Sequence, residues 1–109
     1  MENNSQEAVF ISGGTSGLGH AMVQHFVSAG KSVVFCSRSE ESVDNTLKEL
    51  RSFSTGNQLI LGFSNDVSNR ITTAEMFEKL EALKININVL ICNAGVIGPI
   101  SKFLETKYH

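Results

Sequence analysis

A glycine-rich stretch, residues 12–19, contains the residue types most suited to binding chemistry. Its glycines stand at positions 13, 14, 17 and 19, between an apolar run at 8–11 and a segment with helical spacing of apolar residues. A strand, a glycine-rich turn and a helix in that order bring backbone N–H groups to the positive end of the helix dipole. Glycine is needed there because a Cβ atom would obstruct the turn or hold an anion away from the backbone. The stretch predicts a phosphate-binding turn, and the alternative is a glycine-rich turn without a ligand.

A second polar cluster follows the next apolar run, residues 32–36. Ser37 and Arg38 come directly after that run, and Glu40 and Glu41 follow. A guanidinium offers a fork of charged donors that suits a phosphate group, and a serine hydroxyl adds a neutral donor. Arg38 therefore indicates a phosphate partner. The alternatives are that it is merely solvated, or that it pairs with Glu40 or Glu41.

Apolar runs and helical patterns alternate along the chain and must position these residues. The pattern predicts strands over 8–11, 32–36, 58–63 and 87–92, and helices over 17–29, about 40–51 and about 70–84. Such alternation predicts an α/β fold with a parallel sheet and right-handed crossovers. If the third connection reverses direction, the strand order is 3-2-1-4, as in a Rossmann-type three-layer sandwich. The loops after the first and fourth strands then flank a topological switch point, where α/β sheets bind ligands.

Two helices have apolar residues at spacings that predict the buried face. In the first helix these residues are Leu18, Met22, Phe26 and Ala29, and in the third they are Ile71, Met76, Phe77, Leu80 and Leu83. We expect two helices on one face of the sheet and only the third helix on the other face. The fourth strand is expected to form an edge. An exposed edge and a partly bare apolar face promote association, so we expect self-association or marginal stability.

Composition narrows the function classes. The chain has 109 residues, of which 41% are apolar and 18% charged, and its net charge is −2. One domain is expected, with residues 1–7 as a short flexible lead. The absence of a basic excess argues against nucleic acid and anionic membranes as partners. No apolar run approaches the ~20 residues of a membrane span, and the polar start does not resemble a signal peptide, so we expect a cytoplasmic location.

Cysteines and histidines do not indicate a metal site. Cys36 and Cys92 lie inside apolar runs without C-x-x-C spacing, which predicts two free thiols. His20 and His25 are five residues apart on one predicted helix, a poor spacing for shared ligation. We interpret the histidines as surface residues.

With these motifs in order, the sequence resembles the short-chain dehydrogenase/reductase family from about residue 8 to residue 100. The family pattern T-G-x-x-x-G-[IL]-G appears at 12–19 with Ser12 in place of threonine. The N-N-A-G motif after the fourth strand appears as C-N-A-G, with Cys92 replacing the first asparagine, and the aspartate-plus-apolar pair appears as Asp66 and Val67. The resemblance implies an NAD(P)-binding Rossmann domain at 1–109, which is incomplete by comparison with the family.

The resemblance also implies a role for each motif. The glycine turn would hold the pyrophosphate and adjacent ribose, the end of the second strand a 2′-phosphate, the aspartate pair the adenine, and the last motif the nicotinamide-side ribose. The implied cofactor-binding residues are Ser12, Gly13, Thr15, Ser16, Gly17, Leu18, Gly19, Ser37, Arg38, Asp66, Val67, Asn93, Ala94 and Gly95. For Asp66, a helix N-cap or an ordinary loop residue is the alternative.

The end of the second strand favours NADP(H) over NAD(H). A carboxylate there would accept hydrogen bonds from the ribose hydroxyls and repel a 2′-phosphate, whereas this chain has Ser37 and then Arg38. In related family members, an arginine at this place marks NADP users.

Residues for proton transfer are missing from the sequence. The family uses a serine and a Tyr-x-x-x-Lys pair in its later half, but the sole tyrosine here is Tyr108, with only His109 after it. We therefore expect the cofactor-binding N-terminal part of an NADP(H)-dependent oxidoreductase that acts on a small-molecule carbonyl or secondary alcohol. On its own the chain is expected to be inactive. The alternative is a catalytically inactive nucleotide-binding or interaction module produced by truncation.

Overall fold

Four apolar runs form one parallel sheet with the strand order β3-β2-β1-β4. The structure, a computed structural model, describes residues 6–93. The elements are β1 (Gln6–Ser12), α1 (Gly17–Ser28), β2 (Val33–Ser37), α2 (Glu40–Leu50), β3 (Ile60–Ser64), α3 (Arg70–Ala82) and β4 (Ile85–Cys92). The predicted strand order 3-2-1-4 is confirmed, and with it the Rossmann-type α/β fold. The connection from β3 through α3 to β4 crosses to the other side of β1, which opens a crevice above β1.

The two faces of the sheet have different helical cover. On one face, Val9 and Ile11 of β1 pack with buried valines of α1 and with residues of α2, and we call this the two-helix face. On the opposite face, Phe10 packs against Phe77 of α3, with their ring centroids 5.1 Å apart. We call this the one-helix face. Alternation along β1 produces both faces because successive strand side chains point in opposite directions.

The buried row of α1 differs from the predicted one. Leu18 and Ala29 are exposed, Leu18 to 63%, and the other two predicted positions are half-buried. The helix instead buries Gly19, Val23 and Val27. At about 100° per residue, Leu18 lies roughly 140–180° around the helix from the two valines. The helix therefore contacts the sheet through small and β-branched residues, and Leu18 is left at the mouth of the turn.

The prediction for α3 is partly correct. Met76, Phe77 and Leu80 are buried, whereas Ile71 is 72% exposed and Leu83 60% exposed. Ile71 lies about 120–180° around the helix from the three buried residues, and Leu83 is the C-cap beyond the last helical turn.

β1 begins earlier than predicted. Gln6 and Glu7, expected in the flexible lead, pair with Ile85 and Asn86 of β4. Gln6 is held further because its Nε2 donates to Ser32 Oγ at 2.7 Å. Polar residues are tolerated in this strand because its amino end is exposed and only its backbone must be paired. The lead expected over 1–7 is therefore wrong for these two residues.

Both cysteines are free thiols, as predicted. Ser12 of β1 pairs with Cys36 on one side and with Cys92 on the other, so the two lie two strand spacings apart, about 10 Å. That separation is too large for a disulfide. Burial raises the pKa of the Cys36 thiol to about 12. Among the described elements, no helix is long and apolar enough to cross a membrane.

The contrast between Phe77 and Ile71 in α3 is testable. Phe77→Ala should lower the free energy of unfolding by about 3–5 kcal/mol, because it leaves a cavity under Phe10. The matched control Ile71→Ala removes an exposed side chain and should change it by no more than about 0.5 kcal/mol. Urea unfolding followed by circular dichroism measures both variants. Equal losses in the two would contradict this arrangement of α3.

Candidate functional site

A cleft of about 420 Å³ opens at the carboxyl ends of the strands, where the crossover leaves room above β1. Residues that follow each of the four strands line it. They are Gly13, Thr15, Ser16, Cys36, Ser37, Arg38, Asn65, Asp66, Val67, Ser68 and Asn93. Backbone groups, hydroxyls, amides and one residue of each charge therefore converge in one crevice.

The glycine turn is held against β2. The backbone N–H groups of Gly13 and Gly14 both donate to the carbonyl of Cys36, at 2.9 and 3.2 Å. Gly13 and Gly17 adopt left-handed backbone angles, with φ of 69° and 59°. A residue with a Cβ atom rarely adopts that conformation, so these two glycines allow the chain to turn from β1 into α1.

Gly19 lets α1 approach the turn closely. A Cβ atom at this position would stand 2.0 Å from the carbonyl oxygen of Gly13 and 2.7 Å from the side-chain nitrogen of Asn93. Asn93 itself braces the turn, because its N–H donates to Ser12 Oγ at 3.0 Å and its Nδ2 to the Gly13 carbonyl at 3.4 Å. The ends of β1 and β4 and the start of α1 thus meet at one carbonyl group.

The N-terminus of α1 is capped differently from those of the other two helices. Ser39 accepts from Ser42 N–H at the start of α2, and Asn69 accepts from two N–H groups of α3. Ser16, at the N-cap of α1, makes no side-chain capping hydrogen bond, and the first turn of α1 carries no acidic residue. A Cβ built on Gly17 would meet no atom within 4 Å, so its backbone is open to approach. The positive end of α1 is therefore available to an anion.

The end of β2 presents hydroxyl and guanidinium donors beside the glycine turn. Thr15 Oγ1 donates to Ser37 Oγ at 3.0 Å, which links the turn to the strand. Arg38 is exposed, and among residues 6–93 the one ion pair within 4 Å joins His20 to Glu49. The alternative in which Arg38 pairs with Glu40 or Glu41 is therefore not observed.

Asp66 and Val67 contribute in different ways. Asp66 Oδ1 accepts from the N–H and the hydroxyl of Ser68, at 3.0 and 2.7 Å. These hydrogen bonds, and to a smaller extent the charge of Arg38, hold the pKa of the Asp66 carboxyl below its usual range. The Val67 side chain is buried in the one-helix face, so only its backbone is left for a ligand. Asn69, not Asp66, is the N-cap of α3.

The structure brings eight of the fourteen residues predicted to bind a cofactor into the cleft lining. They are Gly13, Thr15, Ser16, Ser37, Arg38, Asp66, Val67 and Asn93. Ser12 lies buried beneath the turn, and Gly17, Leu18 and Gly19 form the first residues of α1. Ala94 and Gly95 lie outside the described residues.

Sequence reasoning missed three lining residues, Cys36, Asn65 and Ser68. Asn65 and Ser68 flank the Asp66–Val67 pair, so their position next to a motif was an available signal. Cys36 ends the buried part of β2, and its apolar neighbours gave no such signal. In the part of the chain that the structure describes, no three His, Cys, Asp or Glu residues are grouped so that they could hold a metal ion.

Comparison with known proteins finds oxidoreductases among the relatives of this chain. The uncharacterized oxidoreductase YvrD of Bacillus subtilis is 32% identical over 90 residues, which are 83% of this chain and 32% of that protein. The NADP-dependent 3-hydroxy acid dehydrogenase YdfG of Escherichia coli is 32% identical over 88 residues, 81% of this chain and 33% of that protein. A crystal structure of a short chain dehydrogenase from Bacillus anthracis matches with a TM-score of 0.71 and 30% identity, over 80% of this chain and 34% of that one.

The chain therefore spans about one third of the length of each of these proteins. The family model described as short chain dehydrogenase matches residues 7–109. That range includes the glycine turn, the end of β2, the Asp66 loop and Asn93, and by this match the chain belongs to the short chain dehydrogenase family.

Proposed function

We propose that the cleft binds NADP(H), and that the chain is the cofactor-binding part of an oxidoreductase acting on a carbonyl group or secondary alcohol of a small molecule. The observation that carries this proposal is the uncapped N-terminus of α1, which opens beside an Arg38 that has no ion pair among residues 6–93. A ligand with one anionic group at the N-terminus of α1 and a second, separate phosphate at Arg38 would satisfy both groups of donors.

The first turn of α1 fits a pyrophosphate. Gly17 leaves its backbone open, and Ser16 leaves the N–H groups of the helix start without a side-chain acceptor. Negative charge next to these groups is favoured by the helix dipole. In this proposal Gly13, Thr15 and Ser16 line the pyrophosphate and adjacent ribose, while Leu18, exposed at the mouth of the turn, supplies an apolar contact.

The end of β2 fits a 2′-phosphate. Because Thr15 donates its hydroxyl proton to Ser37, the Ser37 hydroxyl keeps its own proton for a further acceptor. Arg38 adds a charged donor in the same part of the cleft. The NADP-dependent character of the Escherichia coli relative supports the same choice of cofactor.

The remaining motifs are assigned to the two ends of the cofactor. Asp66 and the backbone of Val67 would contact the adenine, and Asn93 with Ala94 and Gly95 the ribose next to the nicotinamide. Asn93 donates one side-chain N–H to the Gly13 carbonyl, so its amide oxygen and its second N–H group are left for a ligand. A single extended dinucleotide would thus run between the ends of β3 and β4.

NADP(H) supplies the hydride chemistry, and this chain supplies binding and orientation. The N–H donors at the N-terminus of α1 would fix the pyrophosphate, and Arg38 would fix the 2′-phosphate. Asn93 holds the glycine turn that positions the N-terminus of α1. The serine and the Tyr-x-x-x-Lys pair that the family uses for proton transfer have no counterpart in these 109 residues. We therefore propose that this chain alone binds cofactor without turnover.

Self-association through β4 accompanies this proposal. Among residues 6–93 the outer edge of β4 pairs with no strand, and Val89 on that strand is 43% exposed. Unpaired strand edges favour pairing with another chain. Size-exclusion chromatography with light scattering should therefore show a mass above 11.9 kDa that rises with concentration. A constant monomer mass, together with cooperative unfolding, would argue against it.

Substitution of Arg38 tests the choice of cofactor. The wild-type chain should bind NADPH at least about tenfold more tightly than NADH, as expected for charge-assisted hydrogen bonds to a phosphate. Arg38→Ala should remove most of that preference by weakening NADPH binding, while NADH binding stays within about twofold. Isothermal titration calorimetry measures both affinities.

The control for this experiment is Arg51→Ala, an exposed arginine at the C-cap of α2. It removes the same charge at the opposite end of the helix and should leave the preference unchanged. The choice of NADP(H) would be wrong if the wild type bound both cofactors equally, or if Arg38→Ala kept the preference.

Substitution of Gly19 tests the pyrophosphate site. Gly19→Ala places a methyl group against the Gly13 carbonyl, so the turn must move away from α1. Binding of both NADPH and NADH should fall by at least about tenfold, because the donors of the helix start lose their alignment. The control Ser28→Ala changes an exposed residue at the other end of α1 and should bind normally. Unchanged affinity in a folded Gly19→Ala variant would rule out the proposed phosphate position.

A further inference from the structure

Asn65 is a buried polar residue at the cleft that no motif accounts for. It follows β3 directly, only 8% of it is exposed, and it belongs to the lining of the cleft. Its backbone N–H donates to the carbonyl of Ser37 at 2.8 Å, and its side-chain Nδ2 donates to Thr73 Oγ1 at 3.1 Å. Thr73 is itself 1% exposed, on the first turns of α3. The first bond holds the Asn65 backbone to the end of β2, and the second ties its side chain to α3.

The amide oxygen of Asn65 is available to accept a hydrogen bond. Within residues 6–93 no donor bonds to this oxygen, whereas the amide nitrogen donates one of its two N–H groups to Thr73. Among the described residues, every side-chain nitrogen or oxygen atom that is buried from solvent has a hydrogen-bond partner. Because this oxygen has none, it is accessible from the protein surface. Because Asn65 lines the cleft, the cleft is where a donor would reach it. The cleft therefore offers its ligand a hydrogen-bond acceptor on a side chain that is anchored to Thr73.

The neighbouring carboxylate is arranged differently. Oδ1 of Asp66 already accepts two hydrogen bonds from Ser68, and the residue is exposed. An acceptor that is exposed and occupied discriminates weakly between ligands, because water replaces a missing contact. An acceptor that is nine-tenths buried discriminates strongly, because it is left unpaired when the ligand has no donor to offer.

We propose that Asn65 is a specificity-determining residue for the base of the bound dinucleotide. Its amide oxygen accepts a hydrogen bond from the exocyclic amino group of adenine and disfavours a purine with a carbonyl group at that position. This inference rests on the proposed function, because it requires the adenine end of a dinucleotide in the cleft. It adds a determinant beyond Asp66 and Val67, and it assigns the selectivity to a residue that α3 holds in place.

The test compares NADP with nicotinamide hypoxanthine dinucleotide phosphate, which carries a carbonyl group in place of the adenine amino group. Calorimetry on the wild-type chain should give about five- to tenfold tighter binding of NADP. Asn65→Leu should bring the ratio of the two dissociation constants close to one. Asn65→Asp should keep the preference, because a carboxylate oxygen accepts from the amino group and the Thr73 hydroxyl can donate to the other oxygen. Both ligands carry the same phosphates, so the added charge cancels in the ratio.

The matched control is Asn45→Leu, an exposed position on α2, which should leave the ratio at the wild-type value. Thermal unfolding followed by circular dichroism identifies any variant that has lost its fold. If Asn65→Leu does not fold, the wild-type chain and Asn65→Asp still decide the matter, because either would overturn the inference by binding the hypoxanthine cofactor as tightly as NADP. An unchanged ratio in folded Asn65→Leu overturns the inference and leaves the proposed function standing. Failure of the wild type to bind either dinucleotide overturns both.

Discussion

The close approach of α1 to the Gly13 carbonyl is the constraint on which the rest of the site depends. Gly19 permits it, since any side chain there would overlap that oxygen. The same carbonyl accepts from Asn93, so the positions of β1, α1 and β4 are set relative to one another by a single backbone group. The first residues of the turn, Gly13 and Gly14, are held by β2 through the Cys36 carbonyl. Three strands therefore position the N-terminus of α1.

The polarity of the cleft follows from which helices are capped. In α2 and α3 the chain satisfies its own N-terminal N–H groups with Ser39 and Asn69, while in α1 it leaves them to another acceptor. Arg38, after the next strand, likewise forms no ion pair within residues 6–93. Its neighbours Glu40 and Glu41 lie at the start of α2 and do not pair with it. The cleft thus combines backbone donors with one free guanidinium. Its acceptors, by contrast, are concentrated after β3, where Asn65 and Asp66 stand side by side.

The four strands and most residues of the cleft lining could be predicted because each depends on local pattern, whereas the order 3-2-1-4 also required the third connection to reverse direction. Continuous apolar runs identified the four strands, and polar residues just beyond them identified the cleft lining. The buried face of α1 was missed because two rows of residues have the same helical spacing. The predicted row contains Leu18, Met22 and Phe26, whereas the row that contacts the sheet contains Gly19, Val23 and Val27. Asn65 was missed for a different reason. Its significance comes from a hydrogen bond to Thr73, eight residues away on another element, and no pattern in the sequence records that contact.

The pairing of β1 with β4 contains one irregularity, in which Ala8 opposes Ile87 and Val9 opposes Val89. The skipped residue, Asn88, divides β4 into two segments of opposite phase. Before it, odd-numbered positions such as Ile87 contact the one-helix face, and after it the even-numbered Leu90 does so. Deleting Asn88 would leave the two segments in continuous alternation on their present faces, because Ile87 and Val89 already oppose successive residues of β1. The brace of Asn93 on the Gly13 carbonyl therefore depends on the register of the second segment, in which Cys92 pairs with Ser12.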